Sequence, residues 1–298
     1  MFDYIKADKQ KFAVFHTAYT ASHIFYRSGW GERGKDAIDW AEDKDAYFVF
    51  DDNTLIGGFT LKENYLSHPF IVPPFDNREM FWGDVLKYAV KTSGNKEIFF
   101  NEIPEADKTV LVQSYEGKLI WSIQRMIKPT EQCVPALNDD FYFDSLIRTE
   151  MDEIVDVIYK AHSSGYTSTV AELDMVEIKE GVENWFNLLE QTNTLYMSNT
   201  VKSKGNNEIV GVCIAGIYPD SENYSTRHFA TINSISIKPE YQRRGIAKAM
   251  MLKSINDASG ISPVMTLGVS IGNHPAELLY KNIGFIAGPS YSVVCCTV

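Results

Sequence analysis

The chain has 298 residues, 45% of them hydrophobic and 22% charged, an ordinary globular composition at a length where two cores are expected. The net charge of −11 argues against nucleic acid as the main partner, because that affinity rests on neutralising phosphates. The chain has no apolar run of about 18 residues, which excludes a helical membrane span. The start, Met1-Phe2-Asp3-Tyr4-Ile5-Lys6, has no basic head followed by an apolar stretch, so no secretory signal is expected. Cys133, Cys213, Cys295 and Cys296 fit reduced thiols in a cytoplasmic protein. Cys295 and Cys296 would point to opposite faces of a strand, so no metal site is expected.

Along the first half, Lys11 to Arg27 reads as a helix, with Phe12, Phe15, His16, Tyr19, His23 and Tyr26 at helical spacing. Tyr47 to Phe50 and Leu55 to Leu61 form a hairpin about Asp51-Asp52-Asn53. Helices follow at Glu79–Lys91 and Asp107–Tyr115, and strands at Glu97–Ile103 and Leu119–Met126. Trp30, Trp40 and Trp82 read as core residues. Lys128-Pro129 to Asp140 has a linker's composition.

The second half restarts the pattern. Thr149 reads as the cap of a helix with Ile154, Val155, Ile158 and Tyr159 on its apolar face and Gly165 past its end. A helix over Met175–Glu190 is expected to bury Val176, Trp185, Leu188 and Leu189. Strands at Glu208–Tyr218 and His228–Ile237 make an antiparallel hairpin. Then come a helix at Ile246–Ala258, a strand at Val264–Ser270, a helix at Pro275–Asn282 ended by Gly284, and strand material from Ser292 to Val298.

The segment Ile235-Ser236-Ile237-Lys238-Pro239-Glu240-Tyr241-Gln242-Arg243-Arg244-Gly245-Ile246-Ala247 carries chemistry. A strand ends at Pro239 and a helix begins near Ile246. The first N–H groups of that helix have no internal partners and carry its positive end. Small residues at Gly245 and Ala247 let an anion approach that backbone, and Arg243 and Arg244 add positive charge. Three spaced glycines are missing, so this is no dinucleotide fingerprint, and no Gly-Lys-Ser/Thr follows to make a Walker loop.

Two motifs together resemble the GNAT superfamily of N-acetyltransferases. One is Gln/Arg-x-x-Gly-x-Gly/Ala, met by Gln242, Gly245 and Ala247. The other is an asparagine after a strand and then Leu-Tyr-x-x-x-Gly-Phe, met by Asn273 and by Leu279-Tyr280-Lys281-Asn282-Ile283-Gly284-Phe285. The resemblance covers roughly residues 145 to 298. It implies an α/β (α+β) fold, a central, largely antiparallel twisted sheet flanked by helices. It also implies acetyl-CoA as co-substrate, with no metal. Its pyrophosphate would sit on the N–H groups of Arg243, Arg244, Gly245, Ile246, Ala247 and Lys248, beside Gln242. Its pantetheine arm would pair with a bulged, splayed strand at Asn233–Ile237, through Ile235, Ser236 and Ile237. Asn273 is expected to bond pantetheine or to cap the next helix, and Tyr280 to be the general acid.

The family's usual strand carboxylate is missing from His228–Ile237, so the base is expected to be a water relay, His228, Glu172 or Asp174. Setting Pro73 against Pro239 places Glu79 on Gly245 and Phe81 on Ala247, and Gly117 against Gly284 places Gln113 at the acid position. This reads as a second, degenerate copy of the fold that binds no coenzyme A. The expected organisation is therefore two GNAT-like mixed-sheet domains in tandem: a degenerate domain at 1–130, a linker at 131–144 and a catalytic domain at 145–298. A small-molecule primary amine is the expected acceptor, in a cytoplasmic monomer or homodimer. Two rivals are a tRNA-dependent aminoacyl transferase of similar tandem fold and a coenzyme A-binding module without catalysis.

Overall fold

A computed structural model describes residues 2–24, 45–163, 174–217 and 229–298. His228, Glu172, Trp30, Trp40, Tyr26, Gly165 and the polar turn at 219–227 lie outside the described residues. The described residues pack as two compact units. One holds the chain up to Gln124 together with Pro289–Val298, and the other holds Arg125–Gly288. The last ten residues thus belong to the first unit, although the sequence places them with the second domain.

In the first unit the strands are β1 (Asp3–Lys6), β2 (Asp45–Asp51), β3 (Thr54–Lys62), β4 (Tyr65–Ile71) and β5 (Glu97–Pro104), with β6 (Lys118–Pro129) starting there. The helices are α1 (Lys9–Ile24), α2 (Arg78–Ser93) and α3 (Glu105–Ser114). Strands β1 to β4 form an antiparallel meander, β5 joins β4 in parallel, and the chain's last strand pairs antiparallel with β5 from Tyr291 to Thr297. The core is aromatic: Phe59, Phe81, Trp82 and Phe100 are fully buried. The Trp82 indole N–H donates to the buried Asp107 carboxylate at 2.8 Å, which also receives Arg78.

Helix α2 corrects the expected alignment. It starts at Arg78 because Asn77 caps it, its Oδ1 accepting the Met80 N–H at 3.0 Å. Matching helix starts puts Asn77, not Glu79, level with Gly245, and Glu79 level with Ala247. By the same rule the end of α3 sets the buried Leu111, not Gln113, against Tyr280.

The second unit contains β7 (Phe141–Ser145), α4 (Met151–Ser163), α5 (Met175–Gln191), β8 (Asn199–Ser203), β9 (Ile209–Ile217), β10 (Ala230–Ile237), α6 (Ile246–Ala258), β11 (Val264–Ser270) and α7 (His274–Ile283), with β12 (Ile286–Thr297) beginning there. Strands β7 to β10 are antiparallel neighbours and β11 lies parallel to β10. Strand β9 is buried throughout because helices cover both its faces. Its Val212 and Ile214 pack under α4 and α5, while Cys213, Ala215 and Ile217 pack under α6 and α7. Alternate side chains of a strand leave from opposite faces, so the two helix pairs lie on opposite sides of this sheet.

Three local expectations change. Thr149 sits inside a short 3-10 turn, Arg148–Glu150, and caps nothing. Helix α5 buries Ile178, Val182, Phe186 and Leu189, a helical stripe with spacings of four, four and three that leaves Val176 63% exposed. The linker expected from Lys128 begins only after Pro129, where β6 ends.

Gly216 in β9 fixes how closely α5 can approach. A Cβ there would stand 2.3 Å from Leu189 Cδ2 and 2.8 Å from Thr194 Oγ1. Gly216→Ala is therefore expected to destabilise the fold by about 1–3 kcal/mol through overpacking, read as a lower urea midpoint at unchanged slope.

Candidate active site

The site grows from the end of β10. Its register against β9 slips between Ile232 and Ser234, leaving Asn233 as the extra residue of a bulge. Pairing with β11 stops at the same place: Ala230, Thr231 and Ile232 face Met265, Thr266 and Leu267, and no pair follows. Beyond the bulge, the edge of residues 234–237 that faced β11 is left without a neighbouring strand. Such an edge can accept an extended chain as an extra strand. The Asn233 Nδ2 is buried at the bulge with no protein hydrogen-bond partner.

After β10 the chain makes a 3-10 turn, Pro239–Tyr241, braced from below. The Lys238 ammonium, itself buried, donates to Glu208 at 2.5 Å and lies 3.6 Å from Asp156. That hydrogen bond from Lys238, with one from Asn206, holds the Glu208 carboxyl below its usual range. Gln242 Nε2 donates back to the Ile237 carbonyl at 3.2 Å, which closes the turn.

Arg243 and Gly245 both adopt left-handed backbone, with φ of 59° and 80°. Gly245 is the N-cap of α6, and no side chain caps that helix. The first intrahelical bond runs from Ala249 N–H to Gly245 O, so the N–H groups of Ile246, Ala247 and Lys248 are free to point at a ligand. A Cβ on Gly245 would meet no atom within 4 Å, so open space lies beside this turn. An uncapped helix start, an open glycine and residues in left-handed conformation make an anion cradle.

A cavity of about 570 Å³ joins these parts. Its wall includes Ile235, Ser236, Ile237, Gln242, Arg243, Gly245, Ile246, Ala247, Lys248, Asn273 and Tyr280. Of the residues expected to hold the cofactor or act as the acid, Arg244 alone is not there, and of the candidate bases the described Asp174 is not there either. The Arg244 guanidinium instead lies over the Tyr241 ring, 5.3 Å from its centre, and its Nη2 donates to Glu240 O at 3.4 Å. The remaining wall comes from Ala161, His162, Tyr241, Pro275, Ala276 and Leu279. Tyr241, Pro275, Ala276 and Leu279 are neighbours of the motif residues and could have been read with them. Ala161 and His162 lie at the end of α4, and nothing in the sequence signals their approach.

Asn273 caps α7, its Oδ1 accepting the Ala276 N–H at 3.3 Å, while also lining the cavity. Tyr280 is 6% exposed and packs against Phe285, with ring centres 6.1 Å apart. Burial pushes its phenol above the ordinary value, with the Cys213 thiol adding to the shift. Among the described residues no group hydrogen-bonds the Tyr280 hydroxyl. Tyr280 is thus held as a neutral O–H donor. The Cys213 thiol is buried and pushed up to about 12, so it is not an ionised nucleophile. Asp174 is committed elsewhere: its Oδ1 accepts the Val176 and Glu177 N–H groups, both at 2.8 Å, in a capping box. Among the described residues no group of three or more His, Cys, Asp or Glu could hold a metal ion, and no described helix is long and apolar enough to cross a membrane.

Comparison with known proteins agrees with this geometry. Residues 155–285 match the model of the Acetyltransferase (GNAT) family, a span that contains the bulge, the turn and Tyr280. A GCN5-related N-acetyltransferase from Sphaerobacter thermophilus is similar over 99% of this chain and 95% of its own, at 12% identity and a TM-score of 0.69. A tandem GNAT protein from the clavulanic acid biosynthesis pathway is similar over 100% and 98%, at 8% identity and 0.56. A GNAT-family acetyltransferase from Colwellia psychrerythraea is similar over 100% of both chains, at 9% and 0.52. No curated protein sequence gives a significant match. Residues 155–285 thus carry a match to the GNAT acetyltransferase family, an acyltransferase family, and the similar solved structures share the fold.

Proposed function

We propose that this protein transfers the acetyl group of acetyl-CoA to a primary amine of a small molecule. One observation carries the reading: a single cavity joins the uncapped start of α6, the free edge of β10 and the Tyr280 phenol. These match the three parts of the donor. Pyrophosphate suits the cradle at residues 243–248, and the amide-bearing pantetheine arm suits an edge that lacks a strand. The thioester, at the arm's end, then lies near the bulge and Tyr280. A main-chain N–H at the bulge would stabilise charge developing on the thioester oxygen. The amine attacks directly, because the one thiol beside Tyr280 is buried and protonated. Tyr280 returns a proton to the departing sulfur.

The first unit is read as a degenerate copy of the same fold, with one donor site in the chain. Where α6 is open, α2 is closed by its own Asn77 and carries Glu79 in its first turn. Tyr115 donates its hydroxyl to the Glu79 carbonyl, filling the space beside that helix start. A carboxylate and an occupied cap both oppose a phosphate.

A thiol-release assay with acetyl-CoA and ethanolamine, 2-phenylethylamine, spermidine or lysine tests the activity. Release that depends on one of these amines is expected. Release no faster than hydrolysis with every amine would leave a coenzyme A-binding module in place of an enzyme.

A further inference from the structure

We propose that His162 is the base that accepts the proton of the incoming ammonium group, an inference that rests on the acetyltransferase reading above. The position of α4 leads to it. Helix α4 packs on the Val212 and Ile214 face of β9, whereas α6 and α7 pack on the Cys213 and Ala215 face. His162, in the last turn of α4, and Tyr280, in α7, therefore reach one cavity from opposite sides of the sheet. They can do so only where the sheet is open, which is where β10 leaves β11 past Asn233. An acid on one side and a base on the other leave the thioester between them. No carboxylate lines this cavity among the described residues, so the imidazole is the group on its wall suited to take a proton near neutral pH.

The surroundings keep that imidazole neutral. Burial lowers its affinity for a proton below the ordinary value. The other charged groups on the wall, Arg243 and Lys248, belong to the turn and the first turn of α6; the other titratable ones are Tyr241 and Tyr280. On helix α5, packed against α4, Lys179 pairs with Asp152 and Glu190 with Arg148, Glu177 belongs to the capping box, and Glu180 and Glu183 are exposed. On α4 itself, Lys160 pairs with Asp156. Of the strands beneath, β9 offers the protonated Cys213 on the opposite face, and β10 has no ionisable side chain.

The proton balance is simple. R–NH3+ gives H+ to His162, and the free amine nitrogen bonds to the acetyl carbon. The C–S bond breaks, Tyr280 protonates the sulfur, and the extra proton on the new amide nitrogen restores Tyr280. Imidazolium then releases its proton to water. The net reaction is ammonium plus thioester giving amide, thiol and H+.

His162→Gln removes the base and keeps a polar side chain. With whichever amine of the four gives the fastest release, kcat/KM at pH 7 should fall about 10²–10⁴-fold. The wild-type profile should rise with pH and level off below pH 6.5, as the imidazole loses its proton. The variant's profile should keep rising towards the amine's own pKa, closing the gap at high pH; a structural role would lower both profiles in parallel. Independently, 15N-histidine spectra, with His162 assigned by its loss in the variant, should show titration below pH 6.5 and a shift on adding acetyl-CoA. An unchanged kcat/KM, parallel profiles, or a His162 signal indifferent to acetyl-CoA would each overturn the assignment. If wild type binds no acetyl-CoA, the reading beneath it fails instead.

Discussion

Tyr280→Phe is expected to lower kcat about 10²–10⁴-fold while leaving acetyl-CoA affinity nearly unchanged. The change removes one oxygen from a buried ring whose packing on Phe285 is unaffected. No protein group hydrogen-bonds that oxygen among the described residues, so the fold should lose little stability. What disappears is the hydroxyl of the α7 tyrosine that lines the cavity. The sign of the pH dependence follows from the raised pKa. An acid must be protonated to act, and a phenol above its ordinary value near 10 stays protonated through the neutral range. Wild-type activity should therefore not decline between pH 7 and 9 on account of Tyr280. Steady-state kinetics check both points, and a phenylalanine variant with wild-type kcat would remove Tyr280 from the mechanism.

Gly245→Glu is expected to weaken acetyl-CoA binding by at least about 100-fold. Two effects act together. Gly245 has φ of 80°, and a residue with a Cβ in left-handed backbone costs roughly 1–2 kcal/mol. A Cβ there would meet no atom within 4 Å, so the new side chain starts into the open space beside the cradle. Its carboxylate then competes with phosphate for the first N–H groups of α6. Gly245→Ala carries the strain without the charge and should bind with intermediate affinity. Thermal shift against acetyl-CoA concentration separates the three proteins, since only a ligand that binds the folded state raises the melting temperature. A glutamate variant stabilised as much as wild type would show that the turn holds no phosphate.

The C-terminal half is the more legible in sequence. A glycine at a left-handed helix start and an asparagine cap are local demands, and local demands leave fixed spacings: Gln242 to Gly245, Asn273 to Ala276. Strand β10 is legible from its own β-branched residues, while its departure from β11 is what the GNAT resemblance implies. What sequence did not yield depends on contacts between distant segments. Strand β4 is not legible in the sequence because Ser67-His68-Pro69 interrupts its apolar run, and His68 takes a positive φ there. Strands β1, β7 and β8 are four or five residues long, too short to show a period. The C-terminal strand's place beside β5 rests on long-range pairing of Val294 and Cys296 with Phe100 and Ile98, which no local pattern encodes. The same holds for His162, whose role depends on the end of α4 meeting the mouth of β10. The buried face of helix α5 follows Ile178, Val182, Phe186 and Leu189, at spacings of four, four and three, rather than Val176 and Trp185.

Isothermal titration of wild-type protein with acetyl-CoA tests the central claim most directly. An uncapped α6 and a capped α2 together predict saturable binding at one site per chain. No saturable heat up to millimolar ligand, or two equivalents bound per chain, would contradict it.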